Sequence, residues 1–124
     1  EVEAAGVPAE RIGLAGFSQG ACLVLEHAWR TRRRYGLVAG LSGALIGPAE
    51  TPREITGAEL TGLPVLLGCA ERDGHVPLDY VERSAAAMAA AGADVTKQIF
   101  PGAAHTVFAE EVEWLRTRGA ALVA

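Results

Sequence analysis

Arg11-Ile12-Gly13-Leu14-Ala15-Gly16-Phe17-Ser18-Gln19-Gly20-Ala21-Cys22-Leu23 is the stretch on which the reading of this chain turns. Its centre, Gly16-Phe17-Ser18-Gln19-Gly20, has the Gly-x-Ser-x-Gly spacing of a nucleophile elbow, in which a serine ends a strand and opens a helix through a sharp, strained turn. The flanks fit that context. Ile12 to Phe17 is small and apolar, as a buried parallel strand should be. Ala21 to Leu25 is apolar all round, as a helix inside a domain should be. On this reading Gly16 and Gly20 are both required, because a side chain at either position would collide with the neighbouring strand or helix. The helix that follows would aim its unpaired N–H groups and positive dipole end at the serine, which suits a developing oxyanion.

The rest of the chain supplies the sheet. Glu1 to Ala5 reads as the tail of a helix stopped by Gly6. The elbow strand, Arg11 to Phe17, feeds a helix from Gln19 to about Tyr35. The arginines at 30, 32, 33 and 34 in its last turn favour the helix dipole, so a solvated basic face is expected there rather than an anion site. His27 is read as structural. Leu37 to Ser42 is a second buried strand, followed by a long irregular segment, Gly43 to Leu63. In it, Leu45 and Ile46 either line an acyl pocket or anchor the loop in the core. Pro64 to Cys69 is a third strand. A loop, Ala70 to Pro77, leads to a helix from about Leu78 to Ala91, with Val81, Ala85 and Met88 inward and Gly92 as its stop. Asp94 to Phe100 is a fourth, more polar strand suited to a sheet edge. The last helix is expected over Thr106 to Arg118, with Phe108, Val112 and Leu115 inward and Glu110, Glu111 and Glu113 in water. Strands alternating with helices give one α/β domain with a parallel sheet and right-handed crossovers.

Composition narrows the function. A length of 124 residues suits a single domain, and half of them are hydrophobic, enough for a real core. The net charge of −4 argues against a nucleic-acid surface. No apolar run is long enough to span a membrane, and the chain opens on the acidic Glu1-Val2-Glu3 without a signal-peptide pattern. Cys22 and Cys69 each lie among apolar residues and are expected to be buried free thiols, in a cytoplasmic protein. The three histidines lack ligand spacing with each other or with the cysteines, so no metal site is expected, and no cofactor. Gly13-Leu14-Ala15-Gly16 lacks the lysine of a phosphate-binding loop.

Ligands of open parallel sheets sit beyond the carboxyl ends of the strands. Ser18, the acidic turn at 71–73 and His105 all follow strand ends, so they can meet at one rim. A serine hydroxyl needs a base to take its proton, and an imidazole oriented by a carboxylate provides one. His105 is the histidine that follows both a serine and an acid just past a strand end. His75 is expected to support the site from behind or to pack under it. Among the acids, Asp79 falls in a helix and should be solvated. Glu71 and Asp73 share the turn after the third strand, and Asp73 is favoured because the longer Glu71 would have to fold back.

Gly16-Phe17-Ser18-Gln19-Gly20-Ala21, Leu41-Ser42-Gly43, the segment from Gly68 to Pro77 and the segment from Phe100 to His105 together resemble the phospholipase/carboxylesterase family of α/β-hydrolases, along essentially the whole chain. The resemblance implies the C-terminal part of an α/β-hydrolase fold, with four mostly parallel strands and flanking helices. It implies Ser18 as nucleophile, Asp73 as acid, His105 as base and the backbone N–H of Gln19 as one oxyanion donor. The implied activity is serine carboxylester hydrolysis through an acyl-enzyme, on small ester or thioester substrates, with lysophospholipase or acyl-protein thioesterase as alternatives. Two positions depart from the family's pattern: Gly74 stands where Pro is frequent and Ala104 where Gly is frequent. Family members also carry strands ahead of the elbow and a loop supplying a second oxyanion donor. This chain is therefore expected to be a fragment of a longer enzyme, its elbow strand an exposed edge prone to self-association. An inactive fragment or a non-catalytic binding module is the competing class.

Overall fold

The computed structural model describes residues 5–45 and 60–123, so the expected first helix (except Ala5), Ile46 and most of the long loop lie outside the described residues. A short 3-10 turn, Ala9–Arg11, precedes β1 (Gly13–Phe17); α1 (Gln19–Thr31), β2 (Leu37–Leu41), β3 (Pro64–Ala70), α2 (Leu78–Ala90), β4 (Asp94–Phe100) and α3 (Ala109–Val123) follow. The four strands form one sheet in the order β1-β2-β3-β4. Every pairing is parallel, with Gly13 opposite Leu37, Val38 opposite Val65 and Pro64 opposite Asp94.

Alternation along the strands divides the core into two layers. Val38, Val65, Leu67 and Cys69 point to the face covered by α1 and α2, where they pack with Leu25, Ala28, Val81, Ala85 and Met88. Ala39, Leu41 and Leu66 point to the opposite face, against Trp114 and Leu115 of α3. β2 and β3 are therefore apolar on both faces, as the sequence pattern requires. β1 is the sheet edge expected of the elbow strand, not the buried strand that its apolar letters alone suggest: among the described residues Gly13, Ala15 and Phe17 are exposed, alternating with half-covered Leu14 and Gly16.

α1 stops earlier than the sequence suggested, because Arg32 takes a left-handed backbone (φ 53°) as its C-cap. The arginines around this end form the expected solvated face, Arg30, Arg33 and Arg34 being exposed, and they also make local contacts. Arg30 pairs with Glu26, Arg32 lies over the Trp29 ring and donates to the Trp29 carbonyl, and Arg34 donates to the carbonyls of Thr61 and Tyr35. His27 bonds the Tyr35 hydroxyl at 2.9 Å, the structural role expected of it.

α3 departs from its expected face. It begins at Ala109, three residues late, and Val112 is 52% exposed whereas Glu111 is wholly buried. The reason is local. The Glu111 carboxylate turns back to accept the Phe108 N–H at 2.7 Å, half of a capping box, and so rotates Trp114 and Leu115 onto the sheet. Its Oε2 packs against Gly68, where an added Cβ would lie 2.0 Å away, and accepts no hydrogen bond among the described residues.

Burial raises the Glu111 carboxyl above its ordinary value of 4.5; the Phe108 N–H opposes this, and neighbouring Glu110 adds to it. The folded state thus holds this proton to higher pH than the unfolded chain does. Its contribution is most favourable in acid and is lost as pH rises from about 4.5 through the folded value. Glu111→Gln is predicted to stabilise the protein at pH 8, with a margin that shrinks toward pH 4, in denaturant titrations. A margin independent of pH would contradict this account of Glu111.

Candidate active site

The site starts from the backbone of Ser18. Its φ of 58° and ψ of −115° lie where L-residues rarely go. Two main-chain bonds hold it there: Ser18 N–H donates to the Leu41 carbonyl at 2.8 Å, and Cys22 N–H donates to the Ser18 carbonyl at 3.2 Å. Gly16 permits the turn, since a Cβ there would sit 2.2 Å from the Gly20 carbonyl oxygen. The same test corrects the expectation for Gly20, whose Cβ would meet nothing within 4 Å among the described residues. The collision runs one way, from the strand glycine onto the helix backbone. Gln19 is the first residue of α1, in the turn whose N–H groups have no acceptor inside the helix.

Asp73 and His105 arrive on adjacent loops. The β3–β4 ladder ends with Ala70 opposite Phe100, and the two loops stay bonded beyond it through Glu71 N–H to Phe100 O (2.7 Å) and Arg72 N–H to Gly102 O (3.0 Å). Asp73 then curls back on itself, its Oδ1 accepting the N–H groups of His75 (2.7 Å) and Val76 (3.2 Å). This turn is held by the carboxylate, so Gly74 suffices where proline is frequent. The histidine loop is tied down on its other side. Ser42, itself left-handed (φ 55°) at the end of β2, donates its hydroxyl to the Thr106 carbonyl at 3.0 Å.

The three groups meet. Asp73 Oδ2 accepts from His105 Nδ1 at 2.7 Å, and His105 Nε2 lies 2.7 Å from Ser18 Oγ. An ionised carboxylate only accepts, which assigns the proton to Nδ1 and leaves Nε2 to accept from the serine hydroxyl. The Asp73 side chain is fully buried and the imidazole 18% exposed. Burial pushes the Asp73 carboxyl up, and this is the largest single influence. The bond from His105, the His75 N–H, the His105 charge and the Val76 N–H together outweigh it and hold the carboxyl below its ordinary 3.8. It is therefore ionised at neutral pH.

Other candidates fall away. Glu71 is exposed and pairs with Arg72, and Asp79 is exposed and pairs with Arg83. Leu45 takes the anchoring alternative: it is buried in the core, its N–H bonded to Ser84 Oγ. Cys22 is half-buried; Cys69 is buried, its thiol pushed up to about 11, mainly by burial and then by the charge of Asp73. Of the two expectations for His75, packing under the site fails, and a place beside the reacting groups remains. The residue is exposed, and its ring lies 4.3 Å from that of His105.

A serine on a strand-to-helix turn, bonded in series to a histidine and a buried aspartate, on a parallel sheet with helices on both faces, is the arrangement of an α/β-hydrolase. The profile of the phospholipase/carboxylesterase family matches residues 1–118, and the chain belongs to that family. A phospholipase/carboxylesterase from Dyadobacter fermentans is 34% identical, with a TM-score of 0.85 over 99% of this chain and 57% of its own. Acyl-protein thioesterase 1 of Gibberella zeae is 29% identical over 117 residues, 87% of this chain. Acyl-protein thioesterase 2 of Zea mays, 24% identical with a TM-score of 0.72 over 97% of this chain and 60% of its own, shares the fold. The chain spans 46% of the length of the Gibberella relative.

Because the Gly16 contact is with backbone, nothing nearby can move aside. Gly16→Ala is predicted to cost about 3 kcal/mol or more, read as a fall in denaturation midpoint, with loss of the Ser18–His105 contact. Unchanged stability would show that the elbow has slack.

Proposed function

We propose that the protein hydrolyses small carboxylic esters or thioesters through an acyl-enzyme on Ser18. The observation that carries this is the unbroken pair of 2.7 Å contacts from Asp73 through His105 to Ser18. In the first half-reaction Ser18 Oγ attacks the acyl carbon while its proton passes to His105 Nε2. The imidazolium so formed is stabilised by Asp73, which keeps its own charge. The tetrahedral oxygen is received by the Gln19 backbone N–H at the start of α1. Collapse breaks the bond to the alcohol or thiol, which leaves with the proton from Nε2. In the second half-reaction a water gives a proton to Nε2 and its oxygen attacks the acyl carbon. Ser18 then departs with that proton, and the carboxylic acid is released. No cofactor or metal enters these steps.

The thioester arm is favoured by the likeness to the Gibberella protein named acyl-protein thioesterase 1. The cytoplasm is the compartment we assign. The described helices include none long and apolar enough to cross a membrane. Self-association through β1 belongs to the same reading, supported by its position at the sheet edge and by Phe17, 40% exposed.

Hydrolysis of p-nitrophenyl acetate and of a short acyl thioester by the full-length protein tests the proposal. Ser18→Ala should lower kcat by a factor on the order of 10⁴ or more, and Asp73→Asn by on the order of 10³ to 10⁴ with KM little changed. Activity of Ser18→Ala equal to the parent would refute the nucleophile. Absence of hydrolysis in the parent would favour the binding-module alternative.

A further inference from the structure

His105 is held by a loop, between the turn at Pro101-Gly102 and the start of α3 at Ala109. Before reaction two hydrogen bonds fix its ring, one at each nitrogen. During the reaction proposed above, the bond to Ser18 is broken each time the Nε2 proton goes to a leaving group or comes from water. At those moments only the Nδ1 bond to Asp73 remains, and a ring held at one atom can pivot about it. Something that bears on the ring itself is needed to keep Nε2 on line, because a displacement of about 1 Å can cost two orders of magnitude in rate.

Two aromatic rings bear on it. Phe17, next to the nucleophile, has its centroid 5.0 Å away, and His75 has its centroid 4.3 Å away at an interplanar angle of 36°. Although the His75 side chain is exposed, its backbone is fixed. Its N–H is bonded to Asp73 Oδ1, and the next residue, Val76, is buried and bonded to the same oxygen. One carboxylate therefore does two things: Oδ2 orients the His105 imidazole, and Oδ1 seats the residue whose ring lies against it. The Asp73-Gly74-His75 spacing is what allows this, since an Asx-type turn brings the N–H two residues on back to the side-chain oxygen.

We propose that His75 is a positioning residue, its ring seated on the Asp73 turn and packed against His105 so that His105 keeps its alignment while the bond to Ser18 is open. This rests on the serine mechanism given above. The role is one of shape: the ring face does the work and neither imidazole nitrogen is required. An aromatic pair of this kind is worth about 0.5–1.5 kcal/mol, which as a change in rate is about 2- to 13-fold.

The experiment is steady-state hydrolysis of p-nitrophenyl acetate by the full-length protein and its His75→Ala, His75→Phe and Ser18→Ala variants. His75→Ala should lower kcat about 3- to 10-fold with KM within about twofold of the parent, and His75→Phe should recover kcat to within about twofold. A His75→Phe variant as slow as His75→Ala, or a rise in KM in both, would mean that the imidazole nitrogens contact substrate, and would overturn the proposal. So would His75→Ala at the parental rate. The Ser18→Ala variant separates the two levels: if it is inactive while His75→Ala is unimpaired, only the positioning role fails; if it stays active, the serine mechanism fails and the positioning role with it.

Discussion

Ser18 sits at a φ of 58° because two main-chain hydrogen bonds and one glycine contact leave the chain no other way from β1 into α1. Backbone held in such a region costs about 1–3 kcal/mol and persists only where its surroundings over-determine it. Here the Leu41 carbonyl at the end of β2 takes the Ser18 N–H, so the pairing of β1 with β2 is also what bends the elbow. Relaxing that backbone would swing Oγ away from His105 and turn the start of α1 away from the Ser18 hydroxyl. The remaining features of the site only matter if this turn holds.

The other two members of the proposed triad are delivered by the sheet in the same manner. Parallel neighbours end at the same rim, and the β3–β4 ladder is prolonged into the loops by two further main-chain bonds, so that Asp73 and His105 leave the sheet side by side. Ser42 Oγ on the Thr106 carbonyl then ties the histidine loop to β2. The desolvated Asp73 carboxylate is tolerable because three N–H donors surround it: two from its own turn and one from His105. Geometry that would be loose on any one loop becomes fixed because each loop is bonded to the next.

Much of this could be read in the letters. That Ser18, Asp73 and His105 would meet was legible because each lies just past the end of a strand. β1 and β3 are apolar, and β4 is marked by its closing Ile99-Phe100 and the Pro101-Gly102 turn. The four strands emerged within two residues of their expected ends. The unread part has common causes. Glu111 was expected in water because charge is normally solvated; its burial follows from a cap made to a backbone N–H, which apolar periodicity does not register. The letters of β1 alone read as a buried strand, and its half-open face is understood only from its place at the sheet edge. The ring of His75 on His105 joins residues 30 apart through a turn of the acid loop, and only the Asp-x-His spacing hinted at it. Gly20 matched the motif, yet the contact that matters here is made by Gly16.

The account stands on one claim, that the Ser18 hydroxyl is made nucleophilic by the imidazole it touches. The direct test is to treat the full-length protein with a fluorophosphonate, which loses fluoride as the serine oxygen bonds phosphorus, and to map the adduct by peptide mass spectrometry. The account predicts a single adduct on Ser18, formed rapidly in the parent and slowed by on the order of a thousandfold or more in His105→Ala. An unlabelled Ser18, or labelling that proceeds equally fast without the His105 ring, would contradict it.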